Sequence, residues 1–462
     1  MKTFKLLYIQ RIVFITMVVL SSCSSDDKNP ETNPETNPEE EQEIIRTIEW
    51  TKTFGGSNED NALSVVETAD GGYAIAGYTL SIDGDITDKT ATDSDYWVLK
   101  LTREGEIVWS KTYGGTGDER AEKIIKTNDG GYAIVGYSRS NDEDVTSNEG
   151  LQDYWIVKLN GAGDIQWEKN FGFSGIDRAF SIVQTNDGGY FITGFLDVSA
   201  SNGEGNDDKS KNNEKHGVGE FWGIKLDISG NKIWRRYFGG TNNDRSYDVL
   251  QTEDNGFLMI GSSESIDFDV TNSKGSYDFW AVKVNSEGTK IWQKSYGGSE
   301  IDVAYAITST GDGKYIIIGD SRSDDGDVSS AKGNADLWMI QIDGNGAVLW
   351  EKSIGGTQFD TGRGIFTTQN NNFIITGNSR SNDVDIKENK GQSDILNLLI
   401  NSKGVVQWQS TVGGSLAEFG ESCLETSDKK IIIVGSSESN DFDVPSNKGS
   451  KDFIIIKYKE EK

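Results

Sequence analysis

The sequence predicts an all-β protein: a seven-bladed β-propeller of four-stranded antiparallel blades, closed by an N-terminal strand that completes the last blade. Three observations predict it. A tryptophan-led segment recurs seven times, opening at Trp50, Trp109, Trp167, Trp234, Trp292, Trp350 and Trp408, with spacings of 59, 58, 67, 58, 58 and 58 residues. Each copy carries four short runs rich in Ile, Val, Tyr, Phe and Trp, bounded by Gly, Asn, Asp and Ser, which is strand chemistry. The two ends of the chain are complementary: Ile44 to Phe54 supplies a fourth strand before the first full copy, and Asp452 to Lys459 ends on a third strand that has no fourth. Joining them closes the ring and removes its open edges. Stacked repeats also place most of the 462 residues in one body, where length alone suggests two or three domains.

The chain reads as three parts. Lys2, Lys5 and Arg11 precede a short apolar run, Ile12 to Leu20. That run is shorter than the roughly 20 apolar residues a membrane span needs. Leu20-Ser21-Ser22-Cys23 resembles a bacterial lipobox, so residues 1–22 read as a lipoprotein signal peptide. The resemblance makes Cys23 the lipid-bearing (palmitate) first residue of the mature chain; an ordinary signal peptide with a chance cysteine is the alternative. Residues 23–43 are polar and acidic and hold three of the four prolines, the composition of a disordered tether. Acidic residues just after the cysteine resemble the surface-export signal of Bacteroidetes lipoproteins, which implies an outer-membrane protein facing outward; a periplasmic spacer is the alternative. Residues 44–462 are the propeller.

Net charge excludes some partners. At −29 the chain lacks the clustered Lys and Arg that nucleic acid or anionic lipid would require, so membrane contact is expected through the lipid alone. Cys423 stands where the other copies have Val or Ile, and reads as a small buried hydrophobe.

In the second copy the four runs are Ala121 to Lys126, Tyr132 to Tyr137, Asp153 to Leu159 and Asp164 to Phe171. Asp129-Gly130-Gly131 and Asn160-Gly161-Ala162-Gly163 are the tight turns between the first and last pairs. A glycine stands 27 residues after every opening tryptophan: Gly77, Gly136, Gly194, Gly261, Gly319, Gly377 and Gly435. Glycine within a strand marks a close approach, and an aromatic ring over the bare backbone is the expected occupant. All 12 tryptophans fall at periodic positions and read as core.

With these motifs in place, the chain resembles the bacterial β-propeller repeat family, over Ile44 to Lys462. Copies six and seven depart from the pattern: Asn370-Asn371-Asn372 and Asp428-Lys429-Lys430 replace Asp-Gly-Gly. Leu396 and Ile454 replace the third-strand tryptophan. The resemblance implies the fold and is nearly silent on activity, because one fold hosts many functions.

Chemistry is expected on the face that carries the long loops. Ten residues after each tryptophan stands a carboxylate, Asp60, Glu119, Asp177, Asp244, Asp302, Asp360 or Glu418. These seven either ring the channel mouth or accept N–H groups from the turn before them. The long loops repeat a D-x-D pair: Asp83/Asp85, Asp142/Asp144, Asp267/Asp269, Asp325/Asp327, Asp383/Asp385 and Asp441/Asp443. Such oxygens either collect Ca²⁺, which takes about 6–8 oxygen ligands, or fold the loops through Asx-type turns. Lys274, Lys332, Lys390 and Lys448 recur beside them as neutralising cations.

The third copy breaks the repeat. Its long loop is nine residues longer than its neighbours', loses the D-x-D, and contains His216, the one histidine of the chain. Phe173 replaces a turn glycine, and Arg178 and Arg245 lie nearby in sequence. Phe173, His216, Arg178 and Arg245 are therefore the candidate ligand-binding residues, against the alternative of a tolerated surface loop. Two functions follow. The first is a non-catalytic, lipid-anchored propeller at the outer membrane, binding a glycan or partner protein through its long-loop face. The second is a polysaccharide lyase or glycoside hydrolase centred on the third repeat, using His216, Arg178 and Arg245; seven-bladed lyases using Tyr, His and Arg keep it open, although serine-type catalysis would rest on one histidine.

Overall fold

A computed structural model describes residues 45–208 and 216–461. The expected signal peptide, Cys23 and the whole of the tether lie outside the described residues. Seven four-stranded antiparallel sheets form the ring of blades. In the second blade the strands are Arg120–Lys126, Tyr132–Ser138, Asp153–Leu159 and Ile165–Phe171, within a residue of the sequence expectation. The N-terminal strand Arg46–Phe54 pairs antiparallel with Asp452–Glu460, which continues to Ile431–Ser437 and Glu418–Glu425. Both ends of the propeller thus share the last blade.

Blades are numbered 1 to 7 from the sheet that opens with Asp60–Glu67. The first strands of successive blades lie against one another around a central channel. Each of these inner strands carries a bulge at the same place. In blade 2, Ala121 pairs with Gly136 and Lys123 with Val135, leaving Glu122 without a partner. The equivalent unpaired residues are Leu63, Phe180, Tyr247, Tyr305, Arg363 and Glu421. A bulge bends the strand and re-aims one side chain; here the side chain is turned toward the lumen.

That bulge explains the glycines at position 27, and corrects the ring-over-glycine expectation. A Cβ on Gly136 would stand 1.9 Å from the carbonyl oxygen of Arg120, and the other six glycines meet the equivalent carbonyl at 1.8–1.9 Å. The carbonyl belongs to the bulged strand, so these glycines make room for the bulge. Aromatic cover falls on a different set: the last turn of each of blades 1 to 6 has a glycine with φ of 73–81°, namely Gly105, Gly163, Gly230, Gly288, Gly346 and Gly404. A tryptophan of the preceding blade lies over each: Trp50, Trp109, Trp167, Trp234, Trp292 and Trp350. The repeat tryptophan therefore fastens blade to blade. The third-strand residues Trp97, Trp155, Trp222, Trp280 and Trp338 are fully buried, as are Leu396 and Ile454 in their place. Burying such a side chain contributes roughly 1.5–3 kcal/mol, so the last two blades keep an apolar centre without the indole.

Candidate functional site

The channel contains a cavity of about 440 Å³. Its lining begins at the bulge residues and runs along the inner strands to Glu67 and Glu425, the half nearer the short first turns. Bulge residues differ from blade to blade where neighbouring positions repeat. Phe180, Tyr247 and Tyr305 of blades 3 to 5 form a row, with ring centroids 5.1 and 5.4 Å apart. The Arg363 guanidinium caps the row, 3.8 Å from the Tyr305 ring centroid, a cation–π contact. On the other side of the ring, blades 7 and 2 contribute Glu421 and Glu122, with Leu63 between them. Val66, Ile125, Phe366 and Leu424 add an apolar collar.

The lumen charges are partly internally paired. Lys123 of blade 2 reaches across to Asp248 of blade 4, Nζ to Oδ1 at 3.7 Å. Asp248 also accepts a 2.6 Å hydrogen bond from the Ser181 hydroxyl and a 3.1 Å bond from the Ile307 N–H. Burial and the neighbouring Glu421 push the Glu122 carboxyl up to about 8, against the pull of Arg178 and Arg120. Burial also raises Glu421, while Arg363 and Lys451 oppose the rise. Tyr305, Glu421, Asp320 and Tyr247 hold the Arg363 guanidinium charged, its pKa raised despite burial.

The residues singled out in the sequence lie elsewhere. The seven carboxylates at position 10 are fully buried. Each accepts the N–H four residues upstream, in the turn that links blades, at 2.7–2.9 Å. They close turns and do not line the cavity. The D-x-D carboxylates clamp the same turn from outside: Asp83 accepts from Ser57 N–H at 2.7 Å and Asp85 from Gly55 N–H at 2.9 Å. Asp142 and Asp144, and Asp325 and Asp327, repeat the arrangement on Thr116 and Gly114, and on Ser299 and Gly297. So do Asp383 and Asp385 on Thr357 and Gly355, and Asp441 and Asp443 on Ser415 and Gly413. In the remaining pair Asp267 accepts from Thr241 N–H and Asp269 pairs with Lys290.

The recurring lysines do not reach their own D-x-D. Each spans to the second Asp of the next blade: Lys448 to Asp85, Lys274 to Asp327, Lys332 to Asp385 and Lys390 to Asp443. Among the described residues no group of three or more His, Cys, Asp or Glu side chains is placed to hold a metal ion. The D-x-D oxygens bind backbone N–H groups 26 to 30 residues away in the blade-linking turn, where the Asx-type alternative expected local partners.

The third-repeat residues are likewise engaged. The His216 side chain is fully buried; Nδ1 lies 3.1 Å from a Glu220 carboxylate oxygen, and the ring packs against Tyr237 and Phe268 with centroids 4.9 and 5.0 Å away. Phe173 packs toward Trp222, 6.1 Å between centroids. Arg178 donates Nε–H to Gln152 at 2.6 Å and lies over Tyr137, and Arg245 lies over Phe195. None of the four lines the cavity. The sequence reading missed the bulge position, 13 residues after each tryptophan. Its signal was visible as variation: Leu, Glu, Phe, Tyr, Tyr, Arg, Glu, three residues past an invariantly acidic site. Recognising it required the bulge, since regular alternation would not single that residue out.

No family model matches the sequence, and no curated protein matches it. Solved structures similar to this chain include the Neurospora crassa Pan2 WD40 domain (TM-score 0.47, 8% identity, covering 90% of this chain and 95% of that one). A glucose dehydrogenase gives a TM-score of 0.39 at 10% identity, covering 88% and 98%. A DUF4221 family member from Bacteroides vulgatus gives 0.36 at 9% identity, covering 91% and 99%. At these values the three carry no functional conclusion.

Proposed function

We propose that this chain is a non-catalytic binding propeller that receives its ligand in the central channel. The observation that carries this reading is the contrast along the inner strands. Three residues before the bulge, every blade has a carboxylate engaged in its own turn; at the bulge, seven blades offer Leu, Glu, Phe, Tyr, Tyr, Arg and Glu to one lumen. A scaffold uses repetition, whereas a site needs asymmetry. The volume and the mix of aromatic and convergent polar groups are those of ligand pockets, which run from about 300 to 1,000 Å³. In the same proposal Cys23 carries the lipid and the acidic tether holds the propeller outside the outer membrane, in keeping with the resemblance to bacterial β-propeller repeat lipoproteins.

Two experiments test it. Ligand-dependent thermal shifts across glycan and peptide libraries are expected to disappear in Tyr247→Ala and survive His216→Ala; the reverse pattern overturns the channel assignment. Palmitate labelling is expected to vanish in Cys23→Ser, and protease shaving of intact cells to remove the wild-type propeller; labelling of Cys23→Ser or resistance to shaving overturns the anchored, outward placement.

A hydrolase remains the second reading, moved from the third repeat to Glu122 and Glu421. Glu122 and Glu421 share the cavity, burial raises both, and Glu122 at about 8 has the tuning of a general acid. Release of reducing ends that stops in both Glu122→Gln and Glu421→Gln would establish it.

A further inference from the structure

We propose that the channel selects an organic cation with an apolar body, an alkyl- or arylammonium group such as a free amine or a lysine side chain. The inference rests on the channel being the binding site and adds the ligand's chemical class. The lining holds five carboxylates, Glu67, Glu122, Asp248, Glu421 and Glu425, against two cations, Lys123 and Arg363. Lys123 is committed to Asp248, and Arg363 sits among Tyr305, Glu421 and Asp320. Glu67 and Glu425 are held at the far end by the backbone N–H groups of Ser427 and Gln369. Glu122 thus makes no ion pair in the lumen, and Arg178 and Arg120 only partly offset its burial. Around the chain the net charge is −29, which attracts cations and repels anions.

Aromatic geometry points the same way. An ammonium group over the face of an aromatic ring is attracted by the ring quadrupole, within roughly 6 Å of the centroid. The Phe180–Tyr247–Tyr305 row already holds one cation in this manner, Arg363 at 3.8 Å from Tyr305. Phe180 and Tyr247 remain for a ligand, with Glu122 on the inner strand next to that of Phe180. Anionic ligands would enter beside Glu122 and Glu421, where the two cations of the lining are already engaged. A neutral sugar could stack on the row but would leave the acid imbalance unchanged.

Binding then has a protonic signature. Groups that act on Glu122 are Glu421, Arg120 and Arg178, with the Tyr96 and Tyr137 phenols close enough to sense it. Lys123 lies beside it in the strand, turned to Asp248. In the empty channel Glu122 is held mostly protonated at neutral pH; an entering ammonium favours its carboxylate, so one proton leaves as one cation enters. Affinity should therefore rise about tenfold per pH unit up to roughly pH 8 and level off above it.

Isothermal titration of the full chain with phenethylamine and with Nα-acetyl-lysine methylamide tests this, with cellobiose and phenylacetate as neutral and anionic probes. The expected result is binding of an amine, with release of close to one proton at pH 7, measured in buffers of differing ionisation enthalpy. Binding should weaken at least tenfold in Tyr247→Ala. In Glu122→Gln it should weaken and lose its pH slope, with an unchanged melting temperature showing that the variant is folded. The tighter of the two amines distinguishes a free amine from a lysine side chain. Cellobiose binding that depends on Tyr247 without amine binding would overturn the ligand class and keep the channel. Amine binding untouched by Tyr247→Ala and Glu122→Gln, or binding of no probe, would overturn the proposal.

Discussion

Gly136 lies against the backbone of Arg120 so closely that a β-carbon would stand 1.9 Å from the Arg120 carbonyl oxygen. Because the carbonyl belongs to the residue just before the Ala121–Lys123 bulge, this contact is what lets Glu122 turn into the lumen. Gly136→Ala must push the bulge away. Overpacking of this kind costs roughly 1–3 kcal/mol, and the variant should lose that much in urea or guanidinium denaturation. Gly130, at φ 84° in an open turn with nothing near its missing β-carbon, is the control. Gly130→Ala costs only backbone strain of about 1–2 kcal/mol and leaves channel binding intact, whereas Gly136→Ala impairs it.

Four D-x-D loops hold an unfavourable backbone: their central residues, Glu143, Phe268, Val384 and Phe442, have φ of 51–56°, where the other two copies have Gly84 and Gly326. Val384 and Phe442 are the most exposed of the three apolar ones. Both side chains are exposed, at 65% and 71%, so little packing offsets the strain. Val384→Gly and Phe442→Gly should each stabilise the propeller, by about 0.5–1 kcal/mol after the entropy that glycine adds to the unfolded chain. A denaturation midpoint lowered by either change would show that these side chains make contacts worth more than the strain.

Stability should fall from pH 5 to pH 8. Burial pushes the interblade carboxyls of Asp95 and Asp177 up to about 7, and those of Asp60, Asp153, Asp244, Asp278 and Asp394 up to about 6. Between their ordinary value near 4 and these raised values the folded state holds more protons than the unfolded one, so folding is favoured there and weakens as pH rises through 6 to 7. Below that window the sign reverses. Against partial burial, hydrogen bonds from Lys158 and Thr127, Thr185 and Lys225, and Thr252 and Lys283 hold Asp129, Asp187 and Asp254 respectively down to about 2. Their contribution is present above pH 4 and lost as pH drops toward 2. A melting temperature at pH 8 equal to or above that at pH 5 would contradict the assignment.

Chelation should leave the melting temperature unchanged. D-x-D oxygens accept backbone N–H groups, and four second aspartates also meet a lysine from the preceding blade. These part-exposed pairs are worth at most about 1 kcal/mol each. A chelator-induced drop of several degrees would mean that an ion, bound natively, stabilises the fold.

His216→Ala should cost stability without costing channel binding. Its imidazole fills a closed space between Tyr237, Phe268 and Glu220. Removing it leaves a cavity and a buried carboxylate that burial already drives toward its protonated form. Protease sensitivity of the third-blade loop reads the first effect, and titration with the channel ligand reads the second.

What the sequence determined by itself was everything that repeats. Seven tryptophans, seven strand glycines and two incomplete ends specify the blade count, the strands and their closure, because a repeated unit that cannot bury its own face has to stack. The tertiary structure decided what each repeated residue does. The position-27 glycines serve a carbonyl where a ring was expected, and the rings serve other glycines one blade away. Lys332 and its equivalents reach the next blade's aspartate, a contact set by the rotation between blades that spacing along the chain does not contain. The outlying third repeat drew attention to His216, which burial turns into a packing residue. Glu122, Tyr247 and Arg363 lie 116 to 241 residues apart and converge only because a bulge in each inner strand aims them into one channel.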